Sequence, residues 1–185
     1  MGVLVDNQIR KWANAGGITP FDYRNINPAS IDLRWSGKRK VAIQRPDDSN
    51  EADWVEWTDY GIPFVKGNIY LVDTMEYLKI PGDMVGLLML KSSTGRMGFI
   101  QAHIGLFDPG FEGSATLELI PMSPAPIKLY RGQKIVQLML LSLESTPSAL
   151  YSGRYQKQSV PTEYKSEVVT AEYIEEATPF TTEES

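Results

Sequence analysis

Short stretches in which hydrophobic and polar residues alternate make up most of the chain. Strand-like segments fall at residues 62–72, 84–90, 99–107, 114–120, 126–130 and 134–143. Turn-forming sequences rich in Gly, Pro, Asn and Asp separate most of them. Many short strands at close spacing are typical of a mostly antiparallel β domain, either a barrel or a jelly roll. The pattern therefore predicts a mainly β fold.

A helical spacing of hydrophobic residues occurs at the start of the chain. Ile9, Trp12 and Ala13 would share one face of a helix. Asp6 is a suitable N-cap for this helix, and the glycine pair at 16–17 would end it. We therefore expect one short N-terminal helix in front of the strands.

The charge of the chain is concentrated at its end. The 185 residues carry a net charge of −5, and residues 163–185 contain seven Glu and one Lys. The remainder is close to neutral, which argues against a binder of nucleic acid polymers. We expect one domain over residues 1–162 and an acidic tail over 163–185. Without a membrane-length apolar run or a signal pattern, we expect a cytoplasmic protein with no membrane partner.

The sequence lacks the side chains that a typical zinc site needs. It has no cysteine, and His103 is its single histidine. A disulfide and a thiolate nucleophile are therefore excluded. The zinc-dependent nucleobase deaminases need a His/Cys/Cys or all-Cys ligand set, which this chain cannot supply. We expect no zinc, and a structural or hydrogen-bonded role for His103.

Glu118 is the carboxylate whose position most suggests chemistry. Its neighbours Leu117 and Leu119 face the opposite side of the predicted strand, whereas Thr116 shares its side. A carboxylate in the middle of an apolar strand is costly unless its face borders water, a partner or a ligand. Glu118 therefore belongs either to a solvated outer face or to a pocket in which it acts as a general acid and base.

A polar segment at residues 91–96 (KSSTGR) follows the apolar run 85–90. Its hydroxyl groups, backbone N–H groups and guanidinium are what a polyphosphate needs, although an ordinary polar turn has a similar composition. Asp108 begins the turn 108–110, where Asp is common for conformational reasons alone. Taken singly, these signals leave binding and structural roles open.

In order and spacing, these segments resemble the dCTP deaminase family, relatives of the trimeric dUTPases, over residues 4–162. The matching segments are 27–34 (NPASIDLR), 91–96 (KSSTGR), 108–111 (DPGF) with Glu118 ten residues after Asp108, 134–138 (KIVQL) and 155–162 (YQKQSVPT). The resemblance implies a dUTPase-like distorted β-barrel or jelly roll. It also implies homotrimers with active sites between subunits.

The resemblance implies that the chain deaminates dCTP. Glu118 would shuttle protons between an attacking water, N3 of the base and the departing amine, while Ser92 and Arg96 hold and polarise that water. Lys91, Ser93 and Gln137 would contact the phosphates, and Asp108 would bind the 3′-hydroxyl of the deoxyribose. The backbone of Thr116 and Leu117 would meet the edge of the base, and Tyr151, Arg154 and Gln158 would close over the triphosphate. Thr94 and Gly95, in the same motif as Ser93, would also belong to the substrate-binding residues. Mg²⁺ would arrive with the triphosphate.

The run at 101–104 (QAHI) departs from the family pattern H-[ST]-x-A. Ile104 stands where the family has a small residue beside the base, so we expect His103 and Ile104 to reshape that end of the pocket together. Gly105 followed by Leu106 resembles the members that continue to dUMP and pyrophosphate. Release of dUTP, a dUTP pyrophosphatase without deaminase activity, and a non-catalytic nucleotide-binding regulator on the same fold remain alternatives.

Overall fold

A computed structural model of the chain describes residues 2–42, 54–55 and 61–162. These residues form a mainly β structure with a short N-terminal helix, which confirms the predicted fold class. The predicted tail at 163–185 lies outside the described residues. None of the helices in the described part of the chain has both the length and the apolar composition that a membrane crossing requires.

The described strands are β1 (Gly2–Val3), β2 (Ile18–Thr19), β3 (Ile26–Asn27), β4 (Ser30–Ala42), β5 (Trp54–Val55), β6 (Ile62–Phe64), β7 (Ile69–Lys79), β8 (Met84–Leu90), β9 (Phe99–Gln101), β10 (Gly105–Phe107), β11 (Glu112–Pro121), β12 (Ile127–Leu129) and β13 (Lys134–Ser142). The α-helices are α1 (Asp6–Trp12) and α2 (Ser92–Arg96). A π-helical turn (Ala13–Gly17) and a 3-10 turn (Tyr23–Asn25) complete the elements.

One large antiparallel sheet carries most of the structure. Its strands run in the order β10-β8-β13-β4-β7-β11-β9. The short strands β1, β2, β3 and β5 pair with β13, β7, β4 and β4 respectively, and β6 and β12 form a separate two-stranded sheet. The long strands β4, β7, β11 and β13 therefore supply the surfaces on which both the core and the polar site are built.

The core follows from the alternation along these strands. On β4 the side chains of Ile31, Leu33 and Trp35 are fully buried. The Trp35 ring meets Phe64 edge to face, with ring centroids 5.6 Å apart, and Phe64 packs on Tyr70 in the same way at 4.7 Å. Such offset aromatic pairs add stabilisation beyond the burial of apolar area.

The N-terminal helix begins one residue earlier than predicted. Val5, not Asp6, is the N-cap residue, and Asp6 is the first helical residue. The side chain of Gln8 provides the cap, because its Oε1 accepts a hydrogen bond of 3.0 Å from the Val5 N–H. Asp6 still suits its place, since a negative charge in the first turn interacts favourably with the helix dipole. Ile9 and Trp12 are buried as expected.

Two predicted strands are each divided in the structure. The segment 62–72 splits into β6 and β7 around a turn that includes Gly67, whose φ is +93°. The segment 99–107 splits because β9 pairs with β11 whereas β10 pairs with β8. These strands lie at opposite ends of the sheet order, so residues 102–104 must leave one edge and reach the other. Alternation alone carries no information about such a change of partner.

Candidate active site

A cavity of about 560 Å³ opens beside β11. Strands β7, β10 and β11 and the segment 151–162 form its walls. The lining residues are Ile69, Leu71, His103, Gly105, Leu106, Phe107, Phe111, Thr116, Glu118, Tyr151, Tyr155, Gln158 and Thr162. Most of these side chains are apolar or aromatic, and only a few polar groups project from the walls, which is typical of a small-molecule site.

Glu118 reaches this cavity because of the strand period. Leu117 and Leu119 are buried in the core, whereas Thr116 and Glu118 face the cavity. The pocket interpretation of Glu118 therefore agrees with the structure better than a fully solvated face, since its side chain is 27% exposed. Its Oε2 atom is buried, and within the described residues no donor forms a hydrogen bond of acceptable distance and angle with it.

The imidazole of His103 lies close to that oxygen. Its Nδ1 lies 2.8 Å from Oε2 of Glu118, and its side chain is 60% exposed. The imidazole thus approaches the carboxylate through Nδ1, while most of the side chain remains exposed to solvent. The sequence predicted a hydrogen-bonded role for His103 but did not indicate its partner.

Residues 151–162 dock along β11 of the same chain. Gln158 forms a parallel bridge with Gly113, and its Nε2 donates to the Ser114 carbonyl at 2.7 Å. The Thr162 N–H donates to Oγ1 of Thr116 at 3.1 Å. This segment therefore closes one side of the cavity, and it brings Gln158 to the same space as Glu118. Tyr151 lines that space as well.

The segment 91–96 forms α2 with Lys91 as its N-cap residue. Ser92, Ser93 and Arg96 are exposed, and none of this segment lines the Glu118 cavity. Thr94 is buried, so only its backbone could face a ligand. The predicted water-holding pair Ser92 and Arg96 is therefore not brought to Glu118 within one chain.

Lys91 and Gln137 meet at a buried carboxylate, Asp32. Oδ1 of Asp32 accepts from Lys91 Nζ at 2.8 Å and from Gln137 Nε2 at 3.2 Å. Asn27 donates to the same oxygen at 2.9 Å, and Lys134 Nζ lies 3.4 Å from Oδ2. Four side chains, from β3, β13 and the residue before α2, therefore converge on the Asp32 carboxylate.

The donors around Asp32 decide its charge. Burial on its own would raise the pKa of Asp32, but hydrogen bonds from Lys91 and Asn27, with the charges of Lys91 and Lys134, outweigh burial and hold that pKa below its ordinary value. The sequence pattern did not single out Asp32 or Lys134 as site residues. The available signal was a carboxylate between the core residues Ile31 and Leu33 of one strand.

The remaining predicted residues occupy the periphery. Asp108 is exposed at the turn before β11, where its carbonyl accepts from the Phe111 N–H at 3.0 Å. Arg154 belongs to the docked C-terminal segment but is not among the cavity-lining residues. The side chain of Leu117 is buried in the core, so only its backbone could meet a base. Gly95 is exposed on α2.

Ile104 does not fill the cavity as the sequence comparison led us to expect. Its side chain is 63% exposed and is not among the lining residues, whereas His103 is. Of the two residues, His103 alone lines the cavity in the described chain, and their joint action stays a prediction.

Among the described residues, no group of three or more His, Asp or Glu side chains is arranged to hold a metal ion. At Asp32, the ammonium groups of Lys91 and Lys134 already contact the two carboxylate oxygens. If Mg²⁺ arrives with a triphosphate, the phosphate oxygens would supply most of its ligands.

Comparison with known proteins places the chain in a family. A family model described as dCTP deaminase-like matches residues 3–143. The chain belongs to the dCTP deaminase-like family. This membership confirms the resemblance carried by the five sequence segments.

Relatives of this dCTP deaminase-like chain are similar over most of their length. A protein of Mycobacterium ulcerans named dCTP deaminase, dUMP-forming, is 38% identical over 89% of this chain and 95% of its own. A protein of Parafrankia with the same name is 39% identical over 86% and 88%. The solved 2′-deoxycytidine 5′-triphosphate deaminase of Agrobacterium tumefaciens aligns with a TM-score of 0.64 at 26% identity, over 75% of this chain and 47% of that longer chain.

Proposed function

We propose that this protein is a dCTP deaminase that continues to dUMP. The observation that carries the proposal is Glu118, a partly enclosed carboxylate on the wall of a largely apolar cavity. Deamination by water requires one group that accepts and returns protons, and a carboxylate in such surroundings suits both directions of transfer. The named activity of the relatives described above supports the same reaction.

In the proposed reaction, Glu118 carries out the proton transfers of the deamination. Water adds to C4 of the cytosine; Glu118 takes a proton from that water and delivers it to N3. A second transfer protonates the amine, the C4–N4 bond breaks and ammonia leaves, giving dUTP. In the further step, another water attacks the α-phosphorus, the bond to the β-phosphate oxygen breaks, and dUMP and pyrophosphate are formed.

The Asp32 end of the molecule is proposed to hold the triphosphate. Lys91 and Gln137, which the family resemblance assigns to phosphate contacts, lie together there with Lys134. A phosphate group would share these donors with Asp32, and Mg²⁺ carried by the nucleotide would neutralise part of the remaining charge. Asp108 is proposed to bind the deoxyribose 3′-hydroxyl.

We also propose that the protein is a homotrimer whose active sites lie between subunits. Ser92 and Arg96 stand exposed on α2, away from the cavity that holds Glu118 of the same chain. A neighbouring subunit could present these two side chains to that cavity. Glu118, Thr116, Tyr151 and Gln158 would then come from one chain, and the water-holding pair from the other.

Formation of dUMP is the finer part of the proposal. Gly105 and Leu106 both line the cavity, and Leu106 is 60% exposed. The family resemblance associates this apolar pair with members that go on to dUMP. The names of the Mycobacterium ulcerans and Parafrankia relatives, which specify dUMP formation, agree with it.

Incubation with dCTP and Mg²⁺, followed by separation of the nucleotides and assay of ammonia, tests the proposal. We expect ammonia, dUMP and pyrophosphate in equal amounts. Ammonia with dUTP alone would restrict the activity to deamination. Cleavage of added dUTP without action on dCTP would instead identify a dUTP pyrophosphatase, and nucleotide binding without turnover would identify a regulator.

A further inference from the structure

His103 is held over Glu118 by the backbone on both sides of it. The N–H of Ala102 donates to the carbonyl oxygen of Glu118 at 3.0 Å. On the other side, Gly105 pairs with Leu88 of β8. The link 102–104 is therefore anchored to the residue whose carboxylate the imidazole approaches, and Nδ1 of His103 lies 2.8 Å from Oε2.

The carboxylate needs a donor at this place. Oε2 of Glu118 is enclosed, and among the described residues no hydrogen bond with full geometry closes on it. An enclosed carboxylate oxygen without a donor is costly. A neutral imidazole carries its proton on either ring nitrogen, and a slight turn of the largely exposed His103 ring would aim an Nδ1–H at Oε2. Nε2 would then remain directed to the cavity mouth and solvent.

We propose that His103 is a positioning residue for Glu118, donating from Nδ1 to Oε2 and leaving Oε1 to face the base. Its kinetic consequence rests on the proposed deaminase function, whereas the contact itself does not. A carboxylate held by one oxygen presents the other in a fixed direction, and proton transfer is sensitive to such orientation. His103 also lies within the run 101–104, in which the chain departs from its family pattern.

The tautomer of the single histidine tests the contact without any assay of activity. Because the chain has one histidine, ¹⁵N labelling of the imidazole gives one pair of ring-nitrogen signals, free of overlap. At a pH where the ring is neutral, we expect the Nδ1–H form in the full-length protein without nucleotide. Glu118→Ala removes the acceptor and should return the ring to the Nε2–H form that dominates in water. The matched control Ile104→Ala removes the exposed neighbour and should leave the signals unchanged.

A wild-type ring in the Nε2–H form, or a tautomer that is the same in wild type and Glu118→Ala, would overturn the proposal. Either result would show that the 2.8 Å approach carries no hydrogen bond. Failure of the protein to convert dCTP would count against the proposed function alone, since the tautomer experiment would still decide the contact.

The kinetic part is tested by a pair of amide substitutions. The Asn amide places its nitrogen near the position of Nδ1, whereas the longer Gln amide places it near Nε2. We expect His103→Asn to keep kcat for dCTP within a few-fold, and His103→Gln and His103→Ala to lower kcat by up to about 10²-fold with a smaller change in KM. Equal kcat losses in the Asn and Gln variants would contradict positioning through Nδ1.

Discussion

Asp32 and Glu118 are both carboxylates on long strands of the same sheet, yet their surroundings differ. Asp32 is buried and receives hydrogen bonds or ion pairs from Asn27, Lys91, Lys134 and Gln137. Glu118 lines an apolar cavity, and its enclosed oxygen lacks a hydrogen bond with full geometry within the described residues. The contacts of Asp32 are therefore complete within one chain, whereas those of Glu118 are not.

The surroundings of Asp32 suit binding of a charged group, whereas those of Glu118 suit proton transfer. A saturated ion-pair cluster gives a rigid arrangement of donors, which suits the binding of a charged group whose shape does not change. A carboxylate with an unsatisfied oxygen is free to accept and return protons, but it needs further groups to orient it. Gln101, on the strand beside Glu118, also has an enclosed amide without a partner in the described chain. The unpartnered amide of Gln101 fits a site that a neighbouring subunit completes.

The largest effect is expected from Glu118→Gln. The amide keeps the size of the side chain but cannot move protons, so kcat for deamination should fall by at least about 10²–10⁴-fold. Release of ammonia from dCTP measures this loss, and the thermal unfolding midpoint checks that the variant is folded. Near wild-type deamination by a folded Glu118→Gln protein would exclude Glu118 as the proton shuttle.

Asp32→Asn should disrupt the ion-pair cluster around Asp32. Removing the charge leaves Lys91 and Lys134 without their partner, so we expect a loss of about 1–3 kcal/mol in the free energy of unfolding at pH 7. KM for dCTP should rise more than kcat falls. Because the folded pKa of Asp32 lies below its ordinary value, its stabilisation is present above about pH 4 and disappears as the pH falls further.

Asp22→Asn is the matched control for that variant. Asp22 also forms an ion pair, with Arg24 at 2.7 Å, but the Arg24 side chain is 88% exposed and water screens the pair. Its removal should leave the unfolding free energy at pH 7 nearly unchanged. Equal losses of unfolding free energy in the Asp22 and Asp32 variants would show that the buried cluster stabilises the fold no more than an exposed ion pair does.

Asp73 is a second buried carboxylate, but its pKa is shifted in the opposite direction from that of Asp32. Asp73 is as buried as Asp32, but burial raises its pKa to about 6, and a hydrogen bond from Ser36 with the charge of Lys38 offsets this only in part. Its protonated form stabilises the fold below pH 3.8, and that contribution is lost as the pH rises through 6. Asp73→Asn should therefore raise the unfolding free energy at pH 7 by up to about 3 kcal/mol and change it little at pH 4. A stability loss at pH 7 would contradict this.

Most of the strands could be predicted from local pattern, because alternation reflects which face is buried. The segment 84–90 coincides with β8, and the cavity side of Glu118 follows from its apolar neighbours. Pairing of strands could not be predicted in this way. The break between β9 and β10 depends on partners that are distant in sequence, and the cap at Val5 depends on a side chain three residues on.

The site residues divide along the same line. Lys91 and Gln137 were indicated by family motifs, but their meeting point, Asp32, depends on β4 lying next to β13 in the sheet. His103 was visible as the single histidine, yet its contact with Glu118 requires the link that crosses from β9 to β10. Motifs identify residue types, whereas the sheet order determines which of them meet.

Subunit mixing tests the central claim most directly: that Glu118 works with Ser92 and Arg96 of a neighbouring chain. Inactive Glu118→Gln and inactive Arg96→Ala proteins are dissociated together, reassociated in equal amounts, and checked for exchange with differently tagged chains. If each site draws Glu118 from one subunit and Arg96 from the next, random trimers should recover about a quarter of wild-type dCTP deamination. No recovery after verified exchange would contradict the account and place the whole site within one chain.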